Sequence, residues 1–147
     1  MSDRPYYTAH IDTFARDHLP PRDQWPELVF ETPDLRYPDR LNCVVELLDK
    51  AVEAGQGQHP AIRSPSATLT YAQLLALVNR IAHVLSEELA LVPGSRVLLR
   101  GPNNPMMAAC WLAVVKAGCI AVATMPLLRA KELKPIIEKA QCTAALC

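Results

Sequence analysis

The stretch from residue 96 to residue 146 constrains the fold most, because two kinds of apolar segment alternate in it with clear punctuation between them. Arg96 to Arg100, with Val97, Leu98 and Leu99 at its centre, reads as a short buried strand. Gly101-Pro102-Asn103-Asn104 is a tight connection, in which Asn104 suits an N-cap and Pro105 the first helical position. The helix this predicts runs to Ala117, with Lys116 in its last turn and Gly118 just beyond it. It is apolar or small on all sides apart from Lys116, so it is expected to be buried between layers. Residues 119–124 form a second apolar strand before Met125-Pro126. Residues 131–141 have a helical composition, with the regular part expected from about Lys134 because Pro135 removes a donor. Residues 143–146 begin a third strand. Strand, helix, strand, helix, strand predicts an α/β fold with a parallel βαβαβ layered sheet, flanking helices and right-handed crossovers.

A transmembrane reading competes for part of this run, since 105–128 has little polarity beyond Lys116 and Thr124 and is long enough to span a bilayer. The helix stop at Ala117-Gly118, a lysine near the centre and Pro126 favour a helix followed by a strand.

Upstream, Asn42 is expected to cap an amphipathic helix over 42–54 that carries Val44, Leu47, Leu48, Ala51 and Val52 on one side and stops at Gly55. Residues 61–63 and 67–69 read as a small hairpin joined through Ser64-Pro65-Ser66. Thr70-x-x-Gln73 has capping-box spacing and opens a further helix. Leu74, Val78, Ile81, Leu85 and Leu89 lie on its apolar side, and Gln73, Arg80, His83 and Glu87 on the other. His83 is thus read as a solvated histidine.

Residues 1–41 read differently. Pro20, Pro21, Pro26, Pro33 and Pro38 exclude a regular helix or central strand, while Trp25, Leu28, Phe30, Leu35 and Tyr37 offer apolar area for packing. The expectation is an extended arm (1–41) wrapping the surface of a domain that occupies 42–147. His10-x-Asp12 within it is read as part of a solvated arm.

Composition narrows function mainly by exclusion. Fifteen basic residues balance fifteen acidic ones, so net charge points to neither nucleic acid nor an anionic membrane surface. The charged N-terminus has no signal-peptide core, and a cytoplasmic location is expected. Cys43, Cys110, Cys119, Cys142 and Cys147 include no C-x-x-C pair and read as small buried hydrophobes in a reducing compartment. His10, His18, His59 and His83 are scattered, which argues against zinc.

In order and spacing, LTYAQL with NRIAHVL, P-G-x-R-V before a strand, PNNP opening an apolar helix, and LAVVKAG followed by a strand and a proline together resemble the opening of the adenylate-forming superfamily. That superfamily holds acyl-CoA synthetases, luciferases and peptide-synthetase adenylation domains, and the resemblance covers about 42–147. The upstream HIDTFARDHLPPRDQWPELVF and YPDRLNCVVELLDKAV look like the branch of benzoate-CoA and 2-aminobenzoate-CoA ligases, the latter most of all. The resemblance implies the incomplete N-terminal domain of that fold. It also implies a two-step reaction in which Mg-ATP, an aromatic acid and CoA are substrates and the remainder of the ligase chain is the partner.

The same resemblance implies a Ser/Thr/Gly-rich phosphate loop ending in lysine, an acidic magnesium-binding motif, a ribose-binding aspartate and a lysine on a mobile C-terminal domain. None of these motifs occurs in the 147 residues. Gly55, Gly57, Gly94, Gly101 and Gly118 form no phosphate-cradling cluster. No catalytic, cofactor-binding or metal residue is therefore assigned, and the chain alone is expected to be inactive and to need no cofactor.

Two local features invite a ligand reading. Gly101 to Asn104 follows a strand and opens a helix, as phosphate-binding turns do, but its single glycine favours a tight turn with an N-cap. Arg129 follows the second strand, at the edge where α/β folds bind ligands, and is read as a solvated arginine. Trp111 and the Met106-Met107 pair are expected in the core. Two functional classes stay open: a non-catalytic portion of a ligase, and a freestanding α/β binding or interaction module. The close of the sequence at Ala144-Ala145-Leu146-Cys147, inside an expected strand, favours a truncated chain with exposed apolar surface and some self-association.

Overall fold

The computed structural model describes residues 8–27, 29–33, 36–38, 40–65 and 67–147. Its centre is a three-stranded parallel sheet of β3 (Arg96–Arg100), β4 (Ile120–Thr124) and β5 (Ala144–Leu146), in the spatial order β4-β3-β5. Val97 stands opposite Ala121 on one side and Ala144 on the other, so β3 is central. Val97, Leu98 and Leu99 are buried, as a strand paired on both edges and covered on its faces requires.

Helix α3 (Pro105–Lys116) connects β3 to β4, and α4 (Ala130–Ala140) connects β4 to β5. The Asn104 side chain accepts the Met107 N–H at 2.8 Å, which satisfies one of the free amides at the start of α3. Gly118 ends the connection in a left-handed conformation (φ 74°), where a β-carbon would press on Pro93. Residues 105–128 are thus a helix, a stop and a strand, and no helix among the described residues is long and apolar enough to cross a membrane.

Helix α2 (Tyr71–His83) covers the core from the other side of α3. Its capping box is complete: Gln73 N–H donates to Thr70 Oγ1 at 3.2 Å, and Thr70 N–H donates to Gln73 Oε1 at 2.9 Å. The helix continues through a wide turn at Val84–Glu88, closed by Leu89 N–H to Val84 C=O at 2.9 Å, five residues back. Leu74 and Val78 of α2, Leu85 beyond it, Val97 and Leu99 of β3, and Ala109, Ala113 and Val114 of α3 form one apolar cluster. Burying a Val or Leu of this kind stabilises the fold by roughly 1.5–3 kcal/mol. Leu89, expected on this face, is half exposed because the wide turn rotates it out of register.

The helix after Asn42 has the expected start and stop. The Asn42 carboxamide oxygen accepts the Val44 N–H at 3.1 Å, and Gly55 ends the run at φ 82°. Wide turns at Val45–Asp49 and Val52–Gln56 carry it, burying Val44 and Leu48 and leaving Leu47 exposed. Strands β1 (Pro60–Arg63) and β2 (Thr68–Thr70) pair antiparallel, as the hairpin reading requires. Ser64 N–H donates to Ala67 C=O at 2.9 Å; Ser66 lies outside the described residues.

Further expectations need correction. Helix α4 runs unbroken through Pro135, which stands far enough into an exposed helix that water can take the carbonyl left unpaired. Helix α3 is buried on one face only: Ala109, Ala113 and Val114 are inside, whereas Met106 and Trp111 are 52% and 43% exposed. Hydrophobicity alone could not tell which side α2 and the sheet would cover. Cys43 and Cys147 are exposed, and of the five cysteines Cys119 is buried, while Cys110 and Cys142 are half-buried. The arm is not simply extended, since residues 14–17 form the short helix α1 (Phe14–Asp17) and Arg22–Gln24 another turn. Phe30 and Tyr37 are exposed rather than packed on the body, and Leu28 and Leu35 lie outside the described residues.

The last correction concerns His10-x-Asp12, which is docked rather than solvated. Ile11 and Asp12 N–H groups both donate to Pro93 C=O at 2.9 Å. The Asp12 carboxylate pairs with the buried Arg96 guanidinium, and that guanidinium lies 4.7 Å from the centre of the Phe14 ring. Gly94 makes this approach possible, because a β-carbon there would clash with the Asp12 carbonyl oxygen.

Candidate functional site

A cleft of about 460 Å³ opens at the carboxyl ends of β3 and β4, the edge at which open α/β sheets usually receive ligands. Three elements build it. The sheet contributes Leu99, Ala123 and Thr124 to the floor, and Thr124 Oγ1 donates to Leu99 C=O at 3.1 Å, tying the two strand ends together. The start of α3 contributes Asn104, Met107 and Trp111, and the hairpin contributes Ile62, Arg63 and Ser64.

Gly101, Asn103 and Asn104 of the candidate turn all line this cleft. The Asn104 side chain caps α3, as expected for an N-cap. Trp111 and Met107 both line this cleft; Met107 also packs against the core, as expected, whereas Trp111 and Met106 are exposed. Arg129 is exposed and does not line the cleft; its own N–H donates to Glu132 Oε2 at 2.8 Å, starting α4. His83 is exposed on α2, as expected.

The residue that sequence reasoning missed here is Arg100. Its Nη2 donates to Pro126 C=O at 2.8 Å and Leu128 C=O at 3.0 Å, holding the loop between β4 and α4 against the end of β3. Its Nε is buried without a hydrogen-bond partner. A basic residue closing an apolar strand could have signalled such a tie, but the same pattern is common at solvated strand ends.

Chemically the cleft has an apolar floor and a polar rim of one cation, one hydroxyl-bearing turn and two carboxamides. It holds no carboxylate for a metal ion, and no group of three or more His, Cys, Asp or Glu suited to a metal occurs among the described residues. Burial pushes the Cys110, Cys119 and Cys142 thiols up, in Cys142 partly offset by the nearby Arg96 charge, so none is poised as a thiolate. Among the described residues of the cleft, no nucleophile is seen paired with a base.

What decides the family is the match over this same body. Residues 48–147, which include the hairpin, α2 and the whole parallel sheet, match the family of AMP-binding enzymes. The chain belongs to the AMP-binding enzyme family. It is 28% identical over 102 residues to 3-hydroxybenzoate–CoA ligase of Aromatoleum sp. (strain CIB), covering 69% of this chain and 19% of that protein. The structure of apo MatB from Rhodopseudomonas palustris superimposes with a TM-score of 0.66 at 26% identity, covering 72% of this chain and 21% of that one. The anthranilate CoA ligase AuaEII, solved with anthranoyl-AMP, superimposes with a TM-score of 0.64 over 69% of this chain and 19% of its own. At 22% identity that last likeness shows the shared fold alone. The chain therefore spans about a fifth of the length of the relatives it matches. Its βαβαβ sheet is the N-terminal part of the adenylate-forming fold, as the motif resemblance implied.

Proposed function

We infer that this chain is the opening part of a longer ATP-dependent carboxylate–CoA ligase acting on an aromatic acid such as benzoate or 2-aminobenzoate. The single observation that carries the reading is the family match over 48–147, coupled with relatives about five times as long. In that reaction a carboxylate oxygen attacks the α-phosphorus of Mg-ATP, the bond to the β-phosphate breaks, and pyrophosphate leaves with its electron pair. The CoA thiol, losing its proton, then attacks the acyl carbon of the adenylate, and AMP departs.

The role of these residues is structural. They supply the edge of a parallel sheet and the cleft wall against which the rest of the ligase packs. Exposed Trp111, Met125 and Leu127 around that edge support the reading, because apolar side chains left open on a short domain need a cover. The aromatic preference rests on the 3-hydroxybenzoate–CoA ligase relative and on the resemblance of the N-terminal arm. The ligase works in the cytoplasm.

A pyrophosphate-release assay tests this. The product of the gene read past Cys147 should release pyrophosphate with benzoate or 2-aminobenzoate in the presence of ATP, and form the thioester once CoA is added. The 147 residues alone should do neither. Specific ATP binding by the short chain, with no ligase sequence downstream, would favour the freestanding module instead.

A further inference from the structure

The N-terminal arm meets the body at one buried side chain. Arg96 is 5% exposed and uses all three guanidinium nitrogens. Its Nε donates to Ala140 C=O at 3.0 Å, Nη2 to Gln141 C=O at 3.0 Å and Nη1 to Gly94 C=O at 3.1 Å, while Nη1 also pairs with Asp12. The arm side and the body side thus share one cation. Gln141 is a non-glycine residue in the left-handed region (φ 47°), in the turn that leads from α4 into β5.

We propose that residues 8–18 form a detachable strap latched by Arg96, and that release of the strap loosens the turn between α4 and β5. The physical link is the charge. With Asp12 in place the buried guanidinium has a counter-ion beside its three carbonyl acceptors. Without it, a cation remains in a buried position with carbonyls alone, which strongly favours its moving toward water and away from Ala140 and Gln141. By linkage, anything that disturbs the turn weakens the strap to the same degree. The strap also walls a groove of about 740 Å³, where Thr8 and His10 face Asn42, Lys116 and Cys119, so detachment opens that groove.

Amide hydrogen exchange on the 147-residue chain tests the proposal, comparing wild type with Asp12→Asn and with Gly94→Ala. The first variant removes the counter-ion and is the cleaner test; the second obstructs docking but also strains backbone held at φ 93°. In both, the Ile11 and Asp12 amides should exchange at least tenfold faster, and the Gln141 and Cys142 amides at least threefold faster. Amides of Val97, Leu98 and Leu99 should be unchanged. If Gly94→Ala fails to fold, Asp12→Asn alone decides. Unchanged exchange at Ile11 and Asp12 would overturn the latch, and acceleration there without any at Gln141 and Cys142 would overturn the coupling. Acceleration that includes β3 to the same degree would show that the strap is not separately detachable.

Discussion

Replacing Arg96 by Met isolates what the buried cation contributes, because Met keeps most of the aliphatic volume and leaves little cavity. The structure apportions the loss. Gly94 is buried, so its carbonyl, now without a donor, costs about 1–3 kcal/mol. Ala140 and Gln141 carbonyls are only part-buried and can bind water, which limits each to well under the roughly 1.5 kcal/mol minimum for a charged hydrogen bond. Asp12 regains its hydration when Arg96 leaves, so loss of its ion pair adds little to this. A total loss of about 2–4 kcal/mol is expected. With a urea dependence of about 2 kcal/mol per molar, the middle of the usual range, the unfolding midpoint should fall by roughly 1–2 M with an unchanged slope. Arg96→Lys, which keeps the charge but not the planar fork, should lie between wild type and Met. An Arg96→Met midpoint within about 0.2 M of wild type would refute the reasoning, since it would mean that the guanidinium links nothing of consequence.

Asn104→Ala removes the cap of α3 and should destabilise the chain by about 0.5–2 kcal/mol in the same urea assay, whereas Asn104→Asp should stay close to wild type. The Arg96 hydrogen bond, followed by the Phe14 amide, holds the Asp12 carboxyl below its ordinary range. A carboxyl depressed on folding stabilises above its unfolded pKa of about 3.9 and loses that contribution as pH falls through the lower folded value. Wild type should therefore exceed Asp12→Asn in stability at neutral pH, and the two should converge in acid, as urea midpoints measured across pH will show. With Trp111, Met125 and Leu127 exposed, sedimentation should find self-association at high concentration, and a hydrophobic dye should bind; a clean monomer without dye binding would contradict this.

Local signals made much of the fold legible. The Thr70 and Gln73 capping box, Asn42 and Asn104 as caps, and Gly55 and Gly118 as stops all act within a few residues, so short spacing rules capture them. The apolar β3 run likewise announces a strand covered on both faces. Long-range choices were not legible. Asp12 and Arg96 meet because the arm folds back on the Pro93-Gly94 turn, and nothing near His10-x-Asp12 encodes that partner. The one-sided burial of α3 depends on how many layers cover it, which its uniformly apolar sequence does not record. Pro135 misled because the penalty for a proline depends on whether water reaches the freed carbonyl, a property of the finished surface. The cleft was half legible: Gly101 to Asn104 marked one wall, while Arg63, Ser64 and the Arg100 tie come from elements that only the folded chain brings together.

The most direct measurement is the ATP-dependent release of pyrophosphate by the full gene product, with benzoate, 2-aminobenzoate, acetate and a long-chain fatty acid offered in parallel. The expected result is turnover with the aromatic acids at a kcat/KM at least tenfold above the others, thioester formation on addition of CoA, and no turnover by the 147 residues alone. Absence of pyrophosphate release with every acid, or a preference for acetate or the fatty acid, would contradict an aromatic-acid ligase.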